Sequence, residues 1–113
     1  MSSRQTKPVF RRAHAETDIE SIVAYYLEQN ATNAALKFID ELEAAIRHIQ
    51  LYPESGSPRY SHILELPELR CWQFKHFPYL IFYLEKKNCI DIWRVLHQQR
   101  DIPAWLALQA HDK

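Results

Sequence analysis

Glycine is almost missing from this chain: Gly56 is the only one among 113 residues. Proteins commonly use glycine at about 7% of positions, so a single glycine inside the loop segment 53–58 predicts a turn that needs a positive φ. The chain also has no apolar run of about 18 residues, so it predicts no membrane span. No apolar core of a secretory signal precedes Ala13. We therefore expect one cytoplasmic domain over residues 1–113, with flexible tails at 1–6 and 109–113.

Neither sign of charge is in excess. Lys and Arg total 14, and Asp and Glu also total 14. A protein whose main role is to grip nucleic-acid phosphates needs a basic surface field. The balance therefore argues against direct sequence-specific nucleic-acid binding. The basic pairs Arg11-Arg12 and Lys86-Lys87 are expected to be solvated charges that guard a strand edge and a turn.

Metal-binding patterns are missing as well. The six histidines form no HxxxH pair, and the sequence contains no CxxC, so we expect no metal site and no cofactor. Cys71 and Cys89 fall in predicted strands, where cysteine behaves as a small hydrophobic residue. We expect both to be reduced and buried; a disulfide between neighbouring strands remains the alternative.

The first part of the chain changes from strand to helix periodicity. Residues 7–12 predict a short strand, with Pro8 fitting an edge or a strand start. Apolar residues then recur at helical spacing over 19–27. Thr17 and Asp18, just upstream, are the capping candidates for this helix.

A second apolar stripe of helical period covers residues 35–49. Thr32 or Asn33 would cap its start, and Pro53 would close it. Since the link between the two predicted helices is short, we expect an antiparallel helix hairpin.

The second half of the chain predicts sheet. Residues 70–75 alternate, 79–84 are almost wholly apolar as in a central strand, and 89–97 form a third strand after a Lys-Lys-Asn turn. A short helix at 104–108 follows, with Pro103 near its first turn. The predicted fold is α+β: a β-α-α-β-β-β chain in which an antiparallel sheet of about four strands packs on the helix hairpin.

The segments LYPESGSPR, LRCWQF, FPYLIFY and IDIWRVLHQQRDIP occur in a specific order and spacing. They resemble the ParE branch of the RelE/ParE toxins, which are the toxin halves of bacterial type II toxin–antitoxin systems and are often labelled plasmid stabilisation proteins. The resemblance covers about residues 8–105. It implies a toxin that inhibits DNA gyrase, blocks replication, and forms a hetero-oligomer with a cognate ParD-like antitoxin.

The RelE-like branch of the same superfamily instead cleaves messenger RNA on the ribosome. That chemistry needs cations at the scissile phosphate and a proton donor and acceptor. The resemblance matches that branch's catalytic arginine to Leu80, which cannot stabilise the developing charge. Beyond Arg100, only Trp105 and His111 are aromatic candidates for the expected general acid. We therefore expect no catalytic residues and no enzyme activity, with a ribonuclease and a non-toxic antitoxin-binding module as alternatives.

Aromatic residues and arginines commonly anchor protein interfaces. The candidate residues for binding antitoxin or gyrase are Arg70, Trp72, Arg94, His97, Arg100 and Trp105. Each has a structural alternative: Arg94 could pair with a carboxylate, Trp72 could pack in the core, and Asp101 could cap the last helix. Strand alternation predicts that Arg94 and His97 lie on opposite faces unless a bulge intervenes.

Overall fold

The order of elements is one strand, two helices and three further strands. The computed structural model describes residues 6–62, 65–100 and 102–104. The elements are β1 (Val9–Arg11), α1 (Ala13–Glu28), α2 (Thr32–Leu51), a 3-10 turn (Pro53–Ser55), β2 (Leu69–Gln73), β3 (Tyr79–Glu85) and β4 (Ile90–His97). Residues 102–104 are helical, while Asp101 and the remainder of the predicted last helix lie outside the described residues. The predicted order of elements and the α+β class are confirmed.

The four strands form one sheet in the order β1-β4-β3-β2. The meander is antiparallel as predicted, but β1 runs parallel to β4, with Val9 opposite Ile90 and Arg11 opposite Ile92. The prediction of an antiparallel sheet throughout is therefore wrong. Parallel neighbours need a long crossover, and here the helix hairpin and the meander together supply it.

Both faces of the sheet are covered. The face toward α1 and α2 holds the larger apolar cluster, in which Phe38 stacks on Phe74 with ring centroids 5.1 Å apart. The other face holds a second cluster, against which Tyr60 and Leu66 from the segment between the 3-10 turn and β2 are packed. Because β3 and β4 are buried on both faces, their sequences read as nearly continuous apolar runs.

The predicted helix caps are wrong. α1 begins at Ala13, so Thr17 and Asp18 lie inside the helix. α2 begins at Thr32, and no side chain caps it. A capping residue is chosen by local hydrogen bonding, whereas Asp18 is used for a distant tertiary contact described below.

The link between the two helices uses a residue in the left-handed region. Asn30 has φ 57°. Its N–H donates to Leu27 O at 3.1 Å, and the Ala31 N–H donates to Tyr26 O at 2.8 Å. These are the two bonds of a Schellman motif, in which asparagine can replace glycine. The chain can therefore reverse between α1 and α2 without a glycine.

Gly56 has a different role from the one predicted. Its φ is −73°, so the positive-φ prediction is wrong. A Cβ at this position would contact Tyr83 Oη, and would lie 2.9 Å from Tyr83 Cε1 and 3.0 Å from Cys71 O. The Gly56 N–H donates to Tyr83 Oη at 3.0 Å, and that hydroxyl donates to Pro53 O at 2.7 Å. Glycine is needed here because the loop backbone lies directly against a buried tyrosine.

A buried carboxylate, Asp91, ties β1 to β4 and to the turn before it. Arg12 donates to it through Nε at 3.2 Å and Nη2 at 2.9 Å, Trp93 Nε1 donates at 3.3 Å, and Lys86 Nζ lies 3.0 Å away. The expectation that Arg12 is a solvated charge is therefore wrong, whereas the Lys86 side chain is 50% exposed as well as paired with Asp91. Burial acts to raise the pKa of Asp91, but the hydrogen bonds and positive charges of Arg12 and Lys86 outweigh it and hold that pKa below its ordinary value.

Both cysteines are free. Cys71 is buried in the second cluster, and this burial raises the pKa of its thiol despite the nearby charge of Arg59. Cys89 is half-buried and lies just before β4. Cys71 and Cys89 therefore do not form the disulfide that was the alternative.

Candidate partner-binding site

A groove of about 670 Å³ runs between α1 and the C-terminal end of β4. Its polar and aromatic lining includes Asp18, Tyr25, Tyr26, Tyr79, Arg94, His97 and Arg100. β1 pairs with β4 only over Ile90 to Ile92. Beyond Ile92, α1 lies beside the edge of β4, where Asp18 accepts a hydrogen bond from the Val95 N–H. The groove brings together three residues that the sequence singled out as candidates: Arg94, His97 and Arg100.

Arg94 and Asp18 form the ion pair that joins β4 to α1. Arg94 Nε donates to Asp18 Oδ2 at 2.7 Å and Nη2 donates to Oδ1 at 2.8 Å. The Val95 N–H also donates to Oδ2, at 3.0 Å. The side chains of Arg94 and Asp18 are only 8% and 13% exposed. The predicted pairing of Arg94 with a carboxylate is confirmed.

From Arg94 to His97 the strand register is regular, with Arg94 opposite Phe82 and His97 opposite Tyr79, so the two residues alternate in direction as predicted. Both nevertheless line the groove. The register shift between β3 and β4 lies before both residues. Phe82 lies opposite Arg94, and the next residue, Tyr83, lies opposite Ile92, so Trp93 is an extra residue in β4. Arg94 directly follows this bulge, and its long side chain reaches α1.

The imidazole of His97, which lines the groove, accepts a hydrogen bond through Nδ1. The Gln99 N–H donates to His97 Nδ1 at 3.1 Å, which assigns the proton of the neutral ring to Nε2. The imidazole meets Tyr79 edge-on, with centroids 5.4 Å apart and an interplanar angle of 81°. The ring is therefore held in place on two sides.

Tyr79 keeps its proton under all ordinary conditions. Burial, the largest cause, raises the pKa of Tyr79 to about 12, and the neighbouring Tyr26 and Tyr25 act in the same direction. Arg100 acts in the opposite direction, so its positive charge reaches this part of the groove. A phenol with such a pKa is a hydrogen-bonding group and a poor general base.

The remaining candidates lie elsewhere. Arg70 and Trp72 belong to β2, at the opposite edge of the sheet. Arg70 Nη1 donates to Glu54 O at 3.1 Å and Gly56 O at 2.9 Å, which holds the loop before β2. Trp72 is half-buried against the helix-facing cluster, as one alternative predicted, and its ring contacts that of His48, with centroids 4.4 Å apart and an interplanar angle of 35°. Trp105 lies outside the described residues.

Sequence reasoning missed the contribution of α1 to this groove. The sequence predicts a capping role for Asp18 and indicates no role for Tyr25. A signal was available, because two adjacent aromatics, Tyr25 and Tyr26, cannot both face the core from one amphipathic helix. Tyr25 is in fact 53% exposed.

Two other kinds of site have no counterpart in the part of the chain that the structure describes. No group of three or more His, Cys, Asp or Glu side chains there could hold a metal ion. Over the same residues, no helix is long and apolar enough to cross a membrane.

A helix hairpin on a mixed four-stranded sheet, with an aromatic and basic groove beside the last strand, defines a small α+β domain. The family model described as "ParE toxin of type II toxin-antitoxin system, parDE" matches residues 9–102. The chain therefore belongs to the ParE toxin family, which confirms the resemblance in its sequence.

One solved structure, titled "Chromosomal ParDE TA system from P. aeruginosa", is similar with a TM-score of 0.67. It is 21% identical to this chain, and the match covers 81% of this chain and 96% of that chain. At that identity the likeness shows the fold. No curated protein sequence matches this one.

Proposed function

We propose that this ParE toxin inhibits DNA gyrase in the bacterial cytoplasm, and so blocks replication, until a cognate ParD-like antitoxin binds it in a hetero-oligomer. Membership of the ParE family supports the toxin–antitoxin part of this proposal. The choice of gyrase over messenger RNA depends on one structural observation at Leu80.

Leu80 is 1% exposed and belongs to the cluster on the second face of the sheet, together with Phe82 and Leu96. A ribonuclease of the related branch would need a cation in this strand to stabilise charge on the scissile phosphate. Here the position is apolar and covered. The adjacent Tyr79, with a pKa of about 12, offers no effective base. Both features favour a toxin that acts by binding.

The groove supports the antitoxin part of the proposal. It combines exposed Tyr25 with Arg100 and His97, and aromatic and arginine side chains supply much of the binding energy at protein interfaces. Recognition of a partner segment in a groove beside a helix is a common mode of peptide binding.

The test uses purified toxin, gyrase, relaxed plasmid DNA and ATP, with supercoiled and linearised DNA as the two readouts. We expect supercoiling to be lost and linear DNA to accumulate, and saturating antitoxin to reverse both. A type I topoisomerase reaction with the same toxin is the control and should be unaffected. Undisturbed gyrase would refute the proposal. A ribosome-bound messenger cleavage assay would then test the enzyme alternative, and a second negative result would leave an antitoxin-binding module.

A further inference from the structure

We infer that a second groove, between α1 and α2, binds a basic amphipathic helix that belongs to a partner other than the antitoxin. This hairpin groove has a volume of about 390 Å³. It shares no lining residue with the groove between α1 and β4, so each groove can be occupied without the other. Its apolar lining, its helical walls and its acidic charge define the chemistry of the occupant.

The lining of the hairpin groove is mainly apolar. Ile19, Val23 and Leu27 follow one another at intervals of four residues along α1, and Ile39 and Leu42 of α2 line the groove with them. Leu27 is 49% exposed. Covering such a row with an apolar partner is favourable, because apolar surface is removed from water. The row on α1 is about 12 Å long, which matches about two turns of a partner helix.

The backbone of the walls indicates that the occupant is a helix. Both walls are helices, and the N–H and C=O groups of a helix are bonded to each other except at its ends. An extended strand in this groove would therefore find no backbone partners, whereas a helix satisfies its own backbone groups. A third helix against the two helices of a hairpin is also the ordinary packing of a helix bundle.

The charge of the hairpin indicates that the occupant is basic. Glu20 and Glu43 line the groove and are exposed, and neither takes part in a hydrogen bond or ion pair with any residue that the structure describes. Arg11 is the one basic side chain of the described lining, and it lies 3.5 Å from Glu16. Over residues 13–51, seven Asp and Glu outnumber two Lys and Arg. Lysines or arginines beside the apolar face of a partner helix would complement this charge.

The same charge disfavours two other occupants. A nucleic acid would bring its phosphates against an acidic surface, where binding requires basic side chains. A second copy of the hairpin would place the glutamates of both copies against each other, and like charges across an interface cost free energy. The occupant that fits the groove is therefore a helix with one apolar face flanked by Lys or Arg.

The experiment titrates the full-length toxin into a fluorescein-labelled peptide of leucine and lysine with helical periodicity, about 14 residues or roughly four helical turns long. Fluorescence anisotropy gives the Kd. One control peptide has glutamate in place of every lysine. The other has the same composition in an order without helical periodicity. We expect saturable binding of the basic amphipathic peptide and no binding of either control, because only the first has both the charge and the apolar face.

Two double variants test the role of charge at the groove. Glu20→Gln with Glu43→Gln removes both exposed charges of the lining, and should raise the Kd of the peptide about threefold to tenfold, as for loss of two exposed ion pairs. The matched control is Glu54→Gln with Glu68→Gln. It makes the same change in net charge at exposed positions outside the groove, and should leave the Kd unchanged.

Two single variants test the apolar contact. Leu27→Gln should raise the Kd about tenfold, because a half-exposed leucine no longer packs on the peptide. The matched control is Leu51→Gln at the end of α2, where the leucine is 39% exposed and does not line the groove. This control should leave the Kd unchanged. Thermal melting verifies that each variant is folded.

Equal losses of affinity in the two double variants would mean that the peptide responds only to net charge, and would overturn the inference. Binding of the acidic peptide, or an unchanged Kd for folded Leu27→Gln, would also overturn it. Saturating antitoxin should leave the Kd of the peptide unchanged. Displacement of the peptide by antitoxin would instead refute a separate partner, while the proposed function would stand. Undisturbed gyrase would refute the proposed function and would not alter the outcome of the peptide titration.

Discussion

Breaking the pair between Arg94 and Asp18 should destabilise the toxin far more than breaking an exposed ion pair. The two side chains are 8% and 13% exposed and share two hydrogen bonds. Removing one partner of a buried pair typically costs about 3–5 kcal/mol, because the other charge is left without compensation. Since Asp18 retains the Val95 N–H and some solvent, we expect Arg94→Met to cost about 3 kcal/mol. Domains of this size are stabilised by only about 5–15 kcal/mol in total.

The assay is urea denaturation of the purified toxin, followed by circular dichroism, for Arg94→Met, Asp18→Asn and the double variant. In the double variant, the asparagine oxygen can still accept the Val95 N–H and the methionine fills the arginine's space without a buried charge. We therefore expect its loss of stability to fall short of the sum of the single losses by about 2 kcal/mol. The control is Arg11→Met, which removes the pair with Glu16 at 3.5 Å, whose side chains are 35% and 51% exposed. That variant should lose less than about 1 kcal/mol.

Two results would refute this reasoning. A loss below about 1 kcal/mol for Arg94→Met would mean that the pair contributes no more than a surface contact. Additive losses in the double variant would mean that each residue acts through other neighbours.

Three further predictions concern the core and the loop against it. Gly56→Ala should lower the free energy of unfolding by about 1–3 kcal/mol through overpacking. Tyr83→Phe removes the hydroxyl that the new methyl group would meet. The shift of the urea midpoint in the double variant should therefore be smaller than the sum of the two single shifts. Because folding lowers the pKa of Asp91, this carboxylate stabilises the fold at pH values above its ordinary pKa of 3.8. That stabilisation is lost as the pH falls from 3.8 toward the folded-state pKa. Urea titrations at different pH should therefore show that Asp91→Asn is less stable at neutral pH and that its stability falls less on acidification. Leu80→Arg should sharply destabilise the fold without producing messenger cleavage in a ribosome assay, and cleavage by this variant would reopen the ribonuclease alternative.

The helix hairpin was predictable because helical periodicity is a local property. The stripe over 35–49 matches α2, whose buried residues recur at that spacing. The meander was also predictable, since β3 and β4 are joined by a short turn and their apolar runs are continuous. Several of the predictions that failed concern residues whose partners are distant in the chain. Asp18 looked like a cap because its partner Arg94 is 76 residues away.

The wrong predictions for the φ of Gly56 and for the direction of β1 have the same cause, a partner that is distant in the chain. The tyrosine that approaches Gly56 is 27 residues further along the chain, and no pattern within the loop shows it. β1 read correctly as a short edge strand, but its direction relative to the sheet depends on β4. In the candidate site, the chemistry of the side chains was enough to predict the residues at the end of β4. The residues of α1 that form the opposite wall could not be predicted, because only the tertiary fold brings them to the groove.

The position of β4 between β1 and β3 determines when a newly made chain can acquire its structure. Translation delivers β1 first and β4 last, and the contact of Arg12 with Asp91 spans 79 positions. Such long-range contacts form late, since the entropy of closing the chain is lost before the contacts compensate for it. A chain still attached to the ribosome can therefore form its helix hairpin while its sheet is incomplete. The groove, whose walls are α1 and β4, exists only after Arg100 has been added and has left the ribosome.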